Sequence, residues 1–370
     1  MPDKPPSTPP GAGRPAAAPA AGGYPAPAGT PPAAAPAAGR QPASGTVVVV
    51  EDVWGAAFDD LAGRRPVLRE PEAWEDRPTL ERLAAGAAVL VVRNRTKVDR
   101  ALMEAAPSLQ LVARAGVGLD NIDLPAADDL GVVVSAARGA NARSVAEMAV
   151  ALALSVARDI PGHDRRVRDG RWERSNGVEL QGRCWAAVGL GATGAETLRL
   201  AKAFGMRTTG FDPYLPEGAA GDVLDERAAS VEDLLASADV VSLHAPLTAE
   251  TEALAGPAFF AAMKPGAVLV NVGRGGLVDE AALVAALDAG RIAGAALDVR
   301  AEEPPRGGPL EAHPRVVLTP HVAGLTAEAQ ERVASMLAGD IDRVLDGLPA
   351  AHHAGRISRP ERPTPTGPVR

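Results

Sequence analysis

Short apolar runs rich in β-branched residues alternate along this chain with segments of helical periodicity. The apolar runs predict strands at residues 46–50, 88–92, 109–113, 132–134, 185–188, 208–211, 240–243, 268–272 and 295–299. The helical patterns cover residues 141–158, 193–204, 279–289 and 326–345. Because the strand runs are continuously apolar rather than alternating, they predict an α/β protein whose parallel strands are covered by helices on both faces.

The two ends of the chain differ from this pattern in composition. Residues 1–45 hold 13 of the 34 prolines and are otherwise mostly Ala and Gly, which predicts a disordered Pro/Ala-rich tail. Residues 353–370 are interpreted in the same way. Between the tails, the pattern predicts a first domain at 46–135, a second domain at 136–322, and a return of the chain to the first domain at 323–352.

Charge and cysteine content narrow the functional classes. A net charge of −8 argues against nucleic acid or an anionic membrane surface as the main partner. No apolar stretch approaches the roughly 20 residues of a membrane span. Cys184 is the only cysteine, so an intrachain disulfide is impossible and a cytoplasmic location is expected.

A glycine-rich motif, GLGATG at residues 189–194, follows an apolar strand and opens a helix. In that context the motif predicts a dinucleotide site. Gly189 is expected to make the tight turn, and Gly191 to let the backbone approach a pyrophosphate closely. Gly194 is expected to allow close packing of the helix on the strand. The backbone amides expected to face the phosphates are those of Ala192 and Thr193.

An acidic residue, Asp212, ends the next predicted strand. A carboxylate at this position would bind the ribose hydroxyls and repel a 2′-phosphate, and no arginine follows in Asp212-Pro213-Tyr214. The sequence therefore favours NAD over NADP. The alternative is that Asp212 only starts an Asp-Pro turn.

Three ionisable residues downstream of the glycine motif form a candidate catalytic set. Arg274 follows an apolar strand and could hold a carboxylate with two parallel hydrogen bonds. The imidazole of His321 could move a proton, and the carboxylate of Glu303 could adjust the proton affinity of that imidazole. The neighbouring Glu302 is an alternative to Glu303. Each residue alone could be an ordinary loop residue, but their coincidence after a nucleotide motif indicates hydroxy-acid oxidation.

Several longer motifs accompany these residues. They are residues 114–123 (RAGVGLDNID), 139–147 (GANARSVAE), 189–194, 271–275 (NVGRG), Asp298 with Glu303-Pro304, and Pro320-His321. With them, residues 46–350 resemble the D-isomer-specific 2-hydroxyacid dehydrogenase family, and most closely its D-3-phosphoglycerate dehydrogenase branch.

The resemblance implies two Rossmann-like domains, with the NAD-binding domain at 136–322 inserted into a flavodoxin-like substrate-binding domain. It implies hydride transfer between NAD and a D-2-hydroxy acid, with 3-phosphoglycerate and hence serine biosynthesis favoured. Hydroxypyruvate or glyoxylate reduction is the alternative within the family. A different class of function is an NAD-gated, corepressor-like interaction protein. The resemblance also implies a homodimer that associates through residues 141–174.

The same resemblance implies roles for individual residues. His321 would take the hydroxyl proton, Glu303 would orient it, and Arg274 would hold the substrate carboxylate. Further cofactor contacts are expected from Val272, Gly273 and Asp298. The rest of the substrate pocket is expected from Arg93, Asn94, Val117 and Gly118.

Two departures from the family pattern concern the substrate. Where phosphoglycerate-type members usually have Asn-Ala-Pro-Gly, this chain has Ala136-Ala137-Arg138-Gly139. Ala136 replaces a side-chain amide, and Arg138 could either bind a phosphate or face solvent. The chain is also expected to lack a serine-sensing regulatory domain, because it ends soon after the helix at 326–345.

Overall fold

The protein is represented by a computed structural model that describes residues 45–361 with the exception of 54, 217, 219 and 220. The expected N-terminal tail at 1–45 therefore lies outside the described residues, apart from Gly45. Among the helices described, none is both long enough and apolar enough to cross a membrane.

The first half of the chain forms a five-stranded parallel sheet in the order β2-β1-β3-β4-β5. Its strands are β1 (Thr46–Val49), β2 (Val67–Arg69), β3 (Ala87–Val92), β4 (Leu111–Arg114) and β5 (Val133–Ala136). This is the flavodoxin-like strand order. The predicted flavodoxin-like fold of this region is therefore confirmed.

Helices cover both faces of this sheet. They are α1 (Ala56–Ala62), α2 (Arg77–Gly86), α3 (Arg100–Glu104), α4 (Leu124–Asp129) and, from the end of the chain, α12 (Ala327–Leu345). Val47 and Val49 pack with α1 and α12, whereas Val48 packs with α2 and α3 on the opposite face. Alternate residues of a strand point to opposite faces, so a doubly covered strand must be apolar throughout.

The second half forms a seven-stranded parallel sheet in the order β12-β11-β10-β9-β6-β7-β8. Its strands are β6 (Cys184–Val188), β7 (Arg207–Phe211), β8 (Glu226–Arg227), β9 (Val240–Leu243), β10 (Val268–Asn271), β11 (Gly294–Leu297) and β12 (Val316–Leu318). The strand order reverses between β6 and β9, which is the Rossmann arrangement with a crevice at that point. The predicted α/β class with a Rossmann-like nucleotide fold is confirmed.

The helices of this region also pack on both faces of their sheet. They are α5 (Ala142–Ala157), α6 (Ile160–Arg168), α7 (Ala192–Ala203), α8 (Val231–Ser237), α9 (Pro257–Ala262), α10 (Glu280–Asp288) and α11 (Pro309–Ala312). Helices α5 and α7 share one core with β6 and β10. Helices α8, α9 and α10 form the core on the other face.

The C-terminal segment differs from its predicted disorder. Residues 353–361 run along the edge strand β5, where the Ala354 and Glu361 amides donate to the carbonyl oxygens of Val134 (2.8 Å) and Gly131 (3.1 Å). The Arg356 amide donates to the Asp128 carboxylate at 2.8 Å. These residues are ordered there because an exposed sheet edge offers unpaired backbone N–H and C=O groups to a neighbouring segment. Residues 362–370 lie outside the described residues.

Candidate active site

An imidazole–carboxylate pair lies beyond the ends of β11 and β12. Nδ1 of His321 is 2.8 Å from Oε2 of Glu303, and the two side chains are 44% and 37% exposed. His321 has a φ of 55°, which is the left-handed region that non-glycine residues rarely occupy. The His321 amide donates to the carbonyl oxygen of Asp298 at 2.7 Å, which holds the turn in this conformation.

The buried carboxylate of Asp298 fastens the same turn. Its Oδ1 accepts the Thr319 hydroxyl at 2.6 Å and the Val322 amide at 2.9 Å. Its Oδ2 accepts the Ala323 amide at 2.8 Å. The resemblance implies that Asp298 contacts the cofactor; in the structure its carboxylate accepts one hydroxyl and two backbone amides around His321.

Arg274 follows β10, the strand next to β11. The loop that carries it is braced by Asn271, which is fully buried. Asn271 donates from Nδ2 to the Arg274 carbonyl oxygen at 2.9 Å and accepts the Gly273 amide at 3.1 Å. Sequence reasoning missed Asn271, although a polar residue that ends a buried strand has to find hydrogen-bond partners.

The Arg274 side chain meets the loop after β4. Its Nε donates to Oδ2 of Asp120 at 3.0 Å. A Cβ atom on Gly118 would lie 1.9 Å from Nη2 of Arg274, so the guanidinium of Arg274 would have to shift if any other residue stood there. The structure thus brings together Arg274 and Gly118, two of the predicted site residues, from the two sheets. Val117 beside them is half-buried.

The loop after β3 carries Arg93, which is half-buried, and Asn94, which is exposed. The carboxylate of Glu51 at the end of β1 is only 3% exposed and accepts three amides of this loop. The donors are Arg93 at 2.7 Å, Thr96 at 2.9 Å and Arg95 at 3.1 Å. Glu51, which sequence reasoning did not single out, therefore sets the backbone of the loop.

A second guanidinium lies close to Arg274. Arg114 ends β4, and its Nη1 is 1.5 Å from the position that a Cβ on Gly116 would take. Burial, together with the nearby positive charge of Arg274, lowers the pKa of Arg114 to about 10. Within the part of the chain that the structure describes, its buried Nε has no hydrogen-bond partner. Arg114 was noted only as part of a motif, because nothing in the sequence indicates its burial.

The glycine motif has the close contacts that its spacing predicts. Gly189 has a φ of 91°, and a Cβ there would lie 2.7 Å from the Ala245 amide nitrogen. A Cβ on Gly194 would lie 2.0 Å from the Gly189 carbonyl oxygen. A Cβ on Gly191 would meet nothing within 4 Å, and α7 begins at Ala192 without a side-chain cap. The motif therefore leaves the helix N-terminus open to a ligand, as a pyrophosphate requires.

The other residues predicted to bind the cofactor lie near the carboxyl ends of β7 and β10 or in the first turn of α7. The Asp212 carboxylate accepts the Leu190 amide and the Tyr214 amide, both at 2.9 Å, so it joins the glycine motif to the turn after β7. On the opposite side, a Cβ on Gly273 would lie 3.1 Å from the Leu243 carbonyl oxygen. Val272 is buried, and Thr193 is half-buried in the first turn of α7.

A half-buried histidine lies beside the crevice between β6 and β9. Nε2 of His244 is 3.0 Å from the Ser242 hydroxyl, which also accepts Nε1–H of Trp185 at 2.8 Å. Burial lowers the pKa of His244 to about 4, and its Nδ1 has no hydrogen-bond partner among the described residues. A Cβ on Gly194 would lie 3.5 Å from the His244 Cβ, so the base of the His244 side chain lies beside the glycine motif.

Comparisons with known proteins identify the family of this chain. The family model described as D-isomer specific 2-hydroxyacid dehydrogenase, NAD binding domain, matches residues 150–323. A D-3-phosphoglycerate dehydrogenase from Archaeoglobus fulgidus is 42% identical over 82% of this chain and 58% of its own length. The TT0316 protein of Thermus thermophilus is 36% identical, with a TM-score of 0.77 over 84% of this chain and 99% of its own. The chain belongs to the D-isomer-specific 2-hydroxyacid dehydrogenase family.

Another protein of similar structure is D-mandelate dehydrogenase from Rhodotorula graminis, at 30% identity. Its TM-score is 0.77 over 87% of this chain and 100% of its own. The chain spans 58%, 50% and 54% of three D-3-phosphoglycerate dehydrogenases that it matches, which is about half their length. The region matched by the NAD-binding family model contains the glycine motif together with Arg274, Glu303 and His321.

Proposed function

We propose that this chain is an NAD-dependent D-2-hydroxyacid dehydrogenase whose preferred substrate is D-3-phosphoglycerate. The observation that carries the proposal is the 2.8 Å contact between His321 and Glu303 beside the loop of Arg274. The three residues follow three neighbouring strands, β12, β11 and β10. At the carboxyl ends of parallel strands, such residues face the crevice in which ligands of this fold bind.

The proposed mechanism uses each group for one task. When bound, NAD would supply the hydride acceptor. Glu303 holds Nδ1 of His321, which leaves Nε2 to take the proton of the substrate hydroxyl during oxidation and to return it during reduction. Arg274 would exchange its contact with Asp120, which is 59% exposed, for two parallel bonds to the substrate carboxylate.

Positive charge in the substrate cleft supports a substrate with a second anionic group. The pKa of Arg114 is lowered by burial and next by the charge of Arg274; Glu51 and Asp120 act against this lowering, and Arg93 adds a smaller positive contribution. Two or more arginines close together favour a ligand that carries both a carboxylate and a phosphate. The similarity to D-3-phosphoglycerate dehydrogenases supports the same choice, and we propose serine biosynthesis as the pathway.

The alternative substrate is a small unphosphorylated 2-keto acid such as hydroxypyruvate or glyoxylate. Ala136 is fully buried and offers no polar side chain, and Arg138 is exposed. The similarity to D-mandelate dehydrogenase, whose name implies an unphosphorylated acid, favours this alternative.

The substrate proposal is tested by turnover with NADH and a panel of 2-keto acids, followed at the nicotinamide absorbance. The panel contains 3-phosphohydroxypyruvate, hydroxypyruvate, glyoxylate, pyruvate and 2-ketoglutarate. We expect kcat/KM to be highest for the phosphorylated acid. Preference for an unphosphorylated acid would retain the mechanism and replace the substrate. Tight NADH binding without turnover of any acid would instead favour an NAD-gated interaction protein.

Glu51 allows a prediction about substrate affinity. The substitution Glu51→Gln places an amide NH₂ group opposite backbone N–H donors. The loop of Arg93 therefore loses part of the hydrogen bonding that holds its backbone. We expect KM for the keto acid to rise about 10-fold, while KM for NADH is unchanged. Steady-state kinetics with each substrate varied in turn would measure both constants.

The neighbouring Asp52→Asn substitution is the matched control, because the Asp52 side chain is 83% exposed. It removes the same charge and should leave both constants unchanged. An equal rise of the two KM values in Glu51→Gln would contradict a specific role in the substrate loop and indicate general loosening of the fold.

We further propose that the two sheets belong to two domains that close over the bound substrate. The substrate-binding domain comprises residues 46–135 and 323–352, and the NAD-binding domain comprises residues 136–322. Packing of α12 against β1 and β4, in the five-stranded sheet, supports this division. Closure would bring Gly118 and Arg274 against the substrate and exclude water.

We also propose that the protein forms a homodimer in the cytoplasm, with no nucleic acid or membrane as partner. Among the described residues, four of the nine exposed large apolar side chains lie between 160 and 178. They are Ile160, Val167, Trp172 and Val178, with exposures of 52%, 51%, 81% and 42%. Clustered exposed apolar side chains are typical of a protein interface. Light scattering that gives the monomer mass at micromolar concentration would contradict the dimer.

A further inference from the structure

A buried arginine anchors the loop between Asp298 and Glu303. The Arg300 side chain is 10% exposed and forms a bidentate pair with Glu280, with Nε–Oε1 and Nη2–Oε2 distances of 2.9 and 2.8 Å. Its Nη1 forms a further ion pair with Glu311. The hydrogen bonds from Arg300 lower the pKa values of Glu280 and Glu311 and raise that of Arg300, so all three groups stay charged at neutral pH.

The same residue connects to the acid–base pair through its backbone. The Arg300 amide donates to Oε1 of Glu303 at 3.0 Å, while the other carboxylate oxygen of Glu303 contacts His321. The next amide, that of Ala301, donates to Oε1 of Glu280 at 3.0 Å. Both the Arg300 side chain and the Ala301 backbone amide are therefore held by Glu280, at the start of α10.

The rest of the loop has little packing of its own. Residues 301–309 are exposed throughout, so Glu303 lies in a segment without buried side chains. On the other side, a Cβ on Gly275 would lie 1.9 Å from the carbonyl carbon of Arg300, which places the loop of Arg274 directly against the Arg300 backbone. Arg300 therefore lies between the loop of Arg274 and the loop of Glu303, and its side chain is the buried contact between them.

We propose that Arg300, held by Glu280 and Glu311, is a positioning residue that sets the orientation of the Glu303 carboxylate toward His321 and thereby the rate of proton transfer. The proposal rests on the dehydrogenase function proposed above. Arg300 does not contact the reacting atoms. It acts through Glu303, because the hydrogen bond of its amide fixes one carboxylate oxygen and leaves the other for the imidazole.

A double-mutant cycle in the full-length protein tests this role. Arg300→Met is compared with Arg300→Lys and with the control Arg306→Met, because Arg306 is in the same loop, 86% exposed, and paired with Glu302. Each is made in the wild-type and in the Glu303→Gln background. In the wild-type background, we expect Arg300→Met to lower kcat about 10- to 100-fold and to leave KM for NADH unchanged. In the Glu303→Gln background the same substitution should cost less than about twofold, because nothing remains to be positioned. Arg306→Met should leave kcat unchanged, and Arg300→Lys should recover part of the loss.

An equal loss of kcat in both backgrounds, or no loss in either, would overturn the proposal. The ¹⁵N shifts of the His321 ring give a second measurement that needs no turnover. Glu303 at Nδ1 favours the tautomer protonated there, and Arg300→Met should shift the tautomer population toward that of Glu303→Gln. A His321 tautomer unchanged in Arg300→Met would also overturn the positioning role. If the wild type turns over no acid, the proposed function fails while this measurement still decides the role of Arg300.

Discussion

Replacing the imidazole in His321→Gln is expected to lower kcat for the keto acid about 10²- to 10⁴-fold, because the reaction loses its general acid and base. Glutamine keeps a polar side chain of similar reach but cannot take up a proton at neutral pH. The dissociation constant for NADH, measured by fluorescence titration, should stay within about twofold, since the glycine motif and Asp212 are untouched. Stopped-flow measurement of the hydride-transfer step would show the loss directly.

The exposed His353 provides the control for this experiment. His353→Gln removes an imidazole of the same size outside the crevice and should retain wild-type kcat. If His321→Gln retained more than a tenth of the wild-type rate, another group would have to supply the proton, and the assignment of His321 would be wrong. Loss of NADH binding in the same variant would point to a damaged cofactor site instead.

The second large effect concerns stability and comes from His244. Burial lowers the pKa of this histidine to about 4, whereas an unfolded histidine titrates near 6.5. Between these two pH values the unfolded chain binds a proton that the folded chain does not, so the free energy of unfolding falls as the pH drops from 6.5 toward 4. The loss is about 3 kcal/mol for this one group.

The His244→Gln variant should remove this part of the pH dependence. Glutamine can still reach Ser242 and has no proton to gain. In urea unfolding at pH 7, 6 and 5, the free energy of unfolding should therefore depend less steeply on pH in the variant. The difference in slope corresponds to about one bound proton near pH 5, and His353→Gln should follow the wild type. Parallel curves for wild type and His244→Gln would show that His244 takes up its proton without unfolding. Carboxylates such as Glu280 add their own loss in acid, which cancels in the comparison.

The sequence predicts the chemistry of this site at positions where the local backbone geometry permits only one type of residue. Gly189 and Gly194 are glycines because any Cβ would collide with neighbouring backbone, and such a need appears in sequence as a fixed spacing. Arg274, Glu303 and His321 could be proposed because each follows a predicted strand or lies beside a proline. Their grouping depended on the expectation that parallel strands end at one edge of a sheet.

The missed residues are those whose function depends on a partner remote in sequence. Glu51 holds a loop more than 40 residues later, and Arg300 pairs with an acid 20 residues earlier. Arg114 and Asn271 look like ordinary polar residues at strand ends until their burial is known. The short strands β2 and β8, of three and two residues, were also missed, because so few residues carry no periodicity.

By itself, the sequence determined that this protein is an α/β chain with parallel strands and a dinucleotide motif, because backbone geometry converts periodicity and glycine spacing into local structure. Only the tertiary structure decided which charged groups share the cleft. It placed Arg114 near Arg274, turned the Asp298 carboxylate toward the backbone around His321, and joined Arg300 to Glu303. The reason is physical: a buried charge must be matched by whatever donors and acceptors the packed strands bring within hydrogen-bond distance, and this matching has no signature in local sequence.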